Sequence, residues 1–447
     1  MPAIGTVDAR SFVRWGLREA LPKMSIALGA RSGDPYARLR VDRSLIEDPY
    51  PFYAALRDAA PVVPGKLGAL TARHDVCSEI VRSPEFLVGF PVETYPRAMR
   101  ALIAWAEDPA VLSVVDRPSM LVSNGAEHGR FRRLVTSAFT PRAVAALGAR
   151  TEEIATELLG DLARTHARGG VADQVAEYAA LLPAYVICEV LGVPVAMRHN
   201  FLAWTRPMVA LTDRGSGYRA FRVAEAGVRT LNAWFLRHLA ELRRSPGNDL
   251  LSDIITRADR AAADGGRAFS ETDLMVTASL LLAAASETTV SLIGNAVVAL
   301  LDHPAQLAAL RADPTGWPNA IDEVLRYDSP SQITYRYPLR DTVVHGVPIR
   351  RGRFLMPVFA GANRDPSVFP DADVFDITRP NAGQHLSFSA GAHYCFGSAL
   401  ARLESEVALR RFFERFPAVE LAERPRRRPS LAMRGYAAIP ARLGGAG

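Results

Sequence analysis

Apolar residues occupy nearly every face of residues 270–303. A helix that is apolar all round crosses the interior of a large protein or a bilayer. Ser270 with Asp273 makes a capping box at its start and Pro304 stops it. The run therefore predicts a rod of roughly 33 residues, or ~50 Å at 1.5 Å per residue. From Arg142 to Leu251 the spacing is helical throughout, with breaks at Gly169-Gly170, Gly192-Val193-Pro194, Arg214-Gly215-Ser216-Gly217 and Ser245-Pro246-Gly247. Residues 336–360 alternate instead, with turns at His345-Gly346 and Arg351-Gly352, and Pro61–Ala72 reads as a small hairpin. Leu87–Ser123 has many prolines and glycines and no period, which predicts a long loop with short helical pieces. Loops of that length in compact proteins are usually functional. Ser11–Gly29 is mildly amphipathic but interrupted by Arg14, Arg18, Glu19, Pro22 and Lys23. It lacks the apolar core of a signal peptide and reads as a helix packed on the body. The pattern predicts a mainly α protein with a small β region, divided as an N-terminal helical extension over 1–34 and a larger unit over 35–447.

Composition narrows the function classes. Of 447 residues 49% are hydrophobic and 22% charged, the balance of an ordinary globular protein. The cysteines Cys77, Cys188 and Cys395 lie far apart without metal-finger spacing, which argues against a disulfide framework and suits a cytoplasmic location. The net charge of +6 comes from scattered arginines, with no lysine-rich arm, so nucleic acid is not an expected partner. A basic surface of this kind can attract an acidic redox protein. The Arg-Pro-Arg-Arg-Arg-Pro run at 424–429 reads as a solvated loop. The apolar rod carries Glu287, which disfavours a transmembrane anchor. No G-x-G-x-x-G or G-x-x-x-x-G-K-[ST] follows a strand, so no nicotinamide, flavin or nucleotide site is expected on this chain.

Four clusters carry candidate chemistry. The middle of the rod reads Ala283-Ala284-Ala285-Ser286-Glu287-Thr288-Thr289. A carboxylate there is costly without a partner or a purpose. Pairing with a distant arginine and proton delivery are the two readings. His128 and Arg132 share one helical face and can grip an anion from two sides, or form a solvated basic face. Glu323 and Arg326 stand at ion-pair spacing on a short helix. Cys395 lies between Gly391 and Gly397, just ahead of a helix-like run over Ser398–Phe413. The positive end of that helix favours a thiolate, and a thiolate in a tight apolar loop suits a metal centre. A small buried hydrophobe is the other reading of a free cysteine.

The segment Phe388-Ser389-Ala390-Gly391-Ala392-His393-Tyr394-Cys395-Phe396-Gly397 resembles the haem-binding loop of the cytochrome P450 family, F-G-x-G-x-H-x-C-x-G. Ser389 stands where that family usually has glycine, and a serine is tolerable there if the turn keeps φ negative. The runs Glu127-His128 to Arg132, Ala284 to Thr288 and Glu323 to Arg326 are similar to further family motifs in the same order, with Ala285 at the usual glycine of the second. The resemblance implies a single-domain P450-type fold with a long central I-helix over haem b (iron protoporphyrin IX). It implies Cys395 as axial ligand of the iron, and His128, Arg132, Arg336 and His393 as partners of the haem propionates. Glu287 and Thr288 become a proton-delivery pair, and Glu323 with Arg326 a buried structural pair. The usual third member of that pair falls at Val374, leaving Arg379 as a candidate substitute. Residues 87–123 and the helices flanking 214–217 become the cover of a substrate pocket, lined by Phe90–Tyr95, Leu202–Leu211, Leu282–Ala284 and Gln332–Thr334. The implied activity is a monooxygenase inserting one atom of O2 into a hydrophobic small molecule, fed by a ferredoxin and its NAD(P)H-dependent reductase. A peroxide-driven peroxygenase and a non-catalytic haem carrier or sensor are the alternatives.

Overall fold

A computed structural model describes residues 8–167, 169–205 and 215–444. The central rod is a single helix, Glu271–Asp302, and Ser270 and Asp273 cap it reciprocally. At 32 residues it runs about 48 Å. By length and composition it could cross a membrane, yet 72% of its most apolar window is buried within the protein. Helices Gly148–Thr165, Leu181–Val190, Tyr218–Arg244 and Ser398–Arg415 contribute to the same hydrophobic core. Apolar residues on all sides of the central helix are thus explained by neighbours on all sides.

The β structure is small, divided among two- and three-stranded sheets. Gly68–Thr71 pairs in parallel with Phe354–Pro357, while the expected hairpin over 61–72 reduces to one bridge between Val63 and Leu70. Thr342–Val344 and Val347–Ile349 pair antiparallel through His345 and Gly346, both at positive φ. Two left-handed residues are what a tight hairpin turn needs to match strand twist. Residues 87–123 are a loop with short helical pieces, of which Arg97–Ala106 is the longest.

Buried charges brace this frame. Asp328 lies among Arg427, Arg434 and the Tyr50 hydroxyl. Burial would raise its pKa, but the two guanidiniums hold it well below the usual carboxylate range. The 424–429 run is therefore not the solvated loop its composition suggested. Arg427 bonds Asp328 and Asn295 Oδ1, and Arg428 pairs with Glu287.

Glu404, on the C-terminal helix, is only 1% exposed. Its Oε1 has no hydrogen-bond partner among the described residues. Burial pushes its pKa well above the ordinary value, opposed only by the Thr289 hydroxyl of the central helix. The folded chain thus keeps a proton that the unfolded chain releases near pH ~4.3, so this group lowers stability as pH rises from that value. Glu404→Gln should melt higher than the parent at pH 8, with the gap shrinking toward pH 4; thermal melts across that range check it.

Candidate active site

The cysteine loop folds back on itself before the C-terminal helix begins. Cys395 N–H donates to the Phe388 carbonyl at 2.9 Å, closing the turn that carries the thiol. Gly391 sits at φ +65°, where a Cβ would lie 2.9 Å from Arg82 Cα. Glycine is required there on both counts. Ser389 does not meet the condition of a negative φ, because its φ is +59°. Its buried hydroxyl also lacks a partner among the described residues. A left-handed non-glycine residue and an unpaired hydroxyl both cost free energy. Ser389→Gly is expected to stabilise the protein by about 1 kcal/mol, read as a higher melting temperature.

The thiol's setting opposes the expectation of a ready thiolate. Burial pushes Cys395 up, and the Gly397 backbone N–H, Arg132 and Arg402 pull it down only in part. A positive charge placed against the sulfur would reverse that balance. Behind the loop, Arg402 lies over the Phe388 ring at 4.7 Å and pairs with Asp322 at 2.8 Å.

Beside the loop, three segments converge. Helix Gly125–Val135 brings His128, whose ring centroid is 4.1 Å from that of His393. Arg132, one turn on, donates from Nη1 to the Ala392 carbonyl at 3.1 Å. Among the described residues the Arg336 side chain, buried at 3% exposure, bonds only the neutral oxygens Thr334 Oγ1 and Tyr335 O. Among the described residues no carboxylate pairs with any of these four. The consequences show in their protonation. Burial lowers Arg336 to about 10. Burial, then His128, Arg336 and Arg132, lowers His393 to about 3. Burial and Arg132 lower His128 as well. Four basic groups clustered without a counter-charge fit a group bearing carboxylates, and the adjacent cysteine fits a metal held by that group. On this geometry the residues present suit a haem.

On the central helix, the polar interruption stands apart from its flanks. Ala284 is exposed and Ala283, Ala285, Glu287 and Thr288 are half-buried, whereas Leu280–Leu282 and Thr289–Leu300 are buried. The helix therefore fronts accessible space at that one turn. Thr288 Oγ1 donates to the Ala284 carbonyl at 2.8 Å, and Ser286 Oγ to Leu282 O at 2.8 Å. Such back-bonding loosens the helix locally. Glu287 is not free. It forms an ion pair with Arg428, whose Nε also donates to the Tyr436 carbonyl.

Glu323 and Arg326 form a doubly hydrogen-bonded pair at 2.6 and 2.7 Å with both side chains fully buried. Arg326 also donates to the carbonyls of Asn363, Ala372 and Val374. Arg379 occupies the third place, 3.3 Å from Glu323 and bonded to the carbonyls of Pro370, Asp371 and Val374. Of the expected pocket segments, residues 206–211 lie outside the described residues, as does Arg214.

Comparison with known proteins accords with this geometry. The cytochrome P450 family profile matches residues 318–437. A Mycobacterium tuberculosis protein named for cytochrome P450 140 is 41% identical over 94% of this chain and 94% of its own. The 6-deoxyerythronolide B hydroxylase of Saccharopolyspora erythraea is 38% identical over 89% of this chain and 96% of its own. This chain belongs to the cytochrome P450 family. Its fold agrees: the structure of P450BioI, solved with a fatty-acid-ligated acyl carrier protein, superposes with TM-score 0.79 at 31% identity, covering 90% of this chain and 99% of that one. The chain is accordingly a P450 monooxygenase, an oxidoreductase of the haem-thiolate class.

Arg379 takes the place the sequence offered it as a candidate, whereas neither Arg428 as the partner of Glu287 nor the burial of Glu404 was legible in the sequence. Each reaches its place from a distant segment; Glu287 and Arg428 are 141 residues apart.

Proposed function

We propose that this P450 binds haem b through Cys395, anchors its propionates with His128, Arg132, Arg336 and His393, and hydroxylates or epoxidises an apolar small molecule. The basic cluster without a counter-charge, against the cysteine loop, is the observation that carries the proposal. When bound, the haem supplies the redox chemistry by which O2 is split and one atom passes to the substrate. The chain's residues do the rest. Arg336 and Arg132 place positive charge at the carboxylates, and His128 and His393 donate ring N–H groups to them. Thr288 holds a hydroxyl against the Ala284 carbonyl at the accessible turn, ready to pass a proton inward. Glu287 relays protons toward that hydroxyl, and its ion pair with Arg428 orients the carboxylate.

Relatives named for hydroxylating 6-deoxyerythronolide B and vitamin D(3) support an apolar substrate of the lipid, terpenoid, steroid or polyketide-like kind. The chain's scattered arginines support a ferredoxin as electron donor, with a separate reductase, and its three widely spaced cysteines support a cytoplasmic location. Arg133 is exposed and Arg132 half-buried beside the cysteine loop, the face where an acidic carrier would dock.

Reduced protein under carbon monoxide should show the absorption of a thiolate ligand, and turnover should require reduced ferredoxin. An imidazole-type band, or equal turnover with peroxide alone, defeats the reading. Within it, Glu287→Gln should lower turnover ~100-fold or more and divert electrons to free peroxide, while haem content stays at the parental level. Product and peroxide measured per electron consumed check this.

A further inference from the structure

The N-terminal helices bind two segments that lie far apart in sequence. Arg14 on the first helix, Ala9–Trp15, is 4% exposed. Its Nε donates to Glu225 Oε1 at 2.8 Å, and its Nη1 to the Ala106 carbonyl at 2.6 Å. Ser11, wholly buried, donates to the other oxygen of Glu225 at 2.5 Å. Arg18 grips Asp116 with two bonds, at 2.7 and 3.1 Å, and Asp116 in turn accepts from Ser113 N–H and Oγ. Glu19 Oε2 accepts the backbone N–H groups of Gly215 and Ser216, and Trp15 Nε1 donates to the Ser216 carbonyl. Phe12, Trp15 and Tyr218 pack as a triangle of rings 5.3 to 5.5 Å apart. One short stretch of chain is thus fastened both to loop residues 106–116 and to residues 215–225 at the start of helix Tyr218–Arg244.

We propose that Arg14 and Glu225 are positioning residues for substrate access, and that the N-terminal helices strap the cover of the pocket shut. This rests on the reading that residues 87–123 and the helices around 214–217 cover a haem pocket. Among the described residues the two covering segments also touch each other through exposed or neutral contacts, such as Asn232 with the Ala110 and Leu112 carbonyls and Arg229 with Asp108. Arg14–Glu225 is the ion pair that is nine-tenths buried on both sides, at 4% and 10% side-chain exposure. Arg14 holds Glu225 and the Ala106 carbonyl at once, so separating the segments pulls a buried guanidinium off one of these partners, and that loss sets the barrier to opening. Entry and exit of a bulky molecule should follow that barrier, and a diatomic gas should not. Because the strap does not touch the bound molecule, its loss should speed association and dissociation alike and leave affinity almost unchanged.

The test uses holoprotein and 4-phenylimidazole, followed by stopped-flow at the haem band, with carbon monoxide as the small probe. Arg14→Ala is expected to raise both azole rates about tenfold, with carbon monoxide association and the reduced carbon monoxide spectrum unchanged. Glu225→Gln keeps the shape and removes the charge, and should give a smaller rise of the same pattern, which covers the case in which Arg14→Ala does not fold. Hydrogen exchange provides a readout independent of haem: exchange in 106–116 and 215–225 should quicken together in either variant. Parental azole rates in a folded variant, or quickened exchange in one segment only, overturn the strap. A parent protein without a thiolate spectrum defeats the haem reading instead, and exchange at the two segments still decides whether the strap exists.

Discussion

Cys395→Ser protein is expected to lose the thiolate absorption of the reduced carbon monoxide complex and essentially all monooxygenase turnover. Removing an outer-shell partner of a metal ligand typically costs ~10- to 100-fold, and removal of the ligand itself should exceed that range. Serine is close in size to cysteine, so the turn closed by Cys395 N–H and Phe388 O can persist, and the fold should survive. What disappears is the thiolate proposed to hold the haem iron, which would supply the electron density that favours O–O cleavage. Spectra of the reduced complex together with turnover under reduced ferredoxin measure both effects. Retention of the parental spectrum and rate would mean that the chemistry lies elsewhere in the chain.

Arg326→Met should be the most destabilising single change outside that loop. Glu323 would keep only the 3.3 Å contact from Arg379 and the Asp376 N–H, inside a site with no exposure. Removing one partner of a buried pair costs about 3–5 kcal/mol. Here the carbonyls of Asn363, Ala372 and Val374 also lose their donor, so the upper part of that range is expected. Denaturant melts of the haem-loaded protein check this. Glu323→Gln, which keeps hydrogen bonding and shape, should lose less. If both variants melt at the parental midpoint, the triad with Arg379 does not brace the fold.

The site was legible where its residues sit close together in the chain. The spacing of Gly391, His393, Cys395 and Gly397 is local, and so is the shared face of His128 and Arg132. Short-range geometry dictates such patterns, and the structure brings these residues into contact as the pattern requires. Arg336 was legible only through resemblance, since one arginine in a strand-like stretch has no signature of its own. The sign of φ at Ser389 was not legible, because it depends on a turn that must pass close to Val81 and Arg82. The arginine-rich run was misjudged for a similar reason. Charge density suggests solvent, whereas Arg427 and Arg428 meet acids carried by other elements.

The linear pattern alone determined the long apolar rod, its capped start, its polar interruption at 283–289, the helical middle of the chain and the cysteine loop. These depend on periodicity and on neighbours within a few residues. Tertiary structure decided which ionisable groups are buried and with whom: Glu287 with Arg428, Glu323 with Arg326 and Arg379, Asp328 with Arg427 and Arg434, Arg14 with Glu225, and Glu404 with the Thr289 hydroxyl. Only the assembled fold sets the distance and dielectric that govern those interactions. The same cause left Arg336 without an acid among the described residues and pushed the Cys395 thiol up, and those are the two places where the proposed function sets the cofactor.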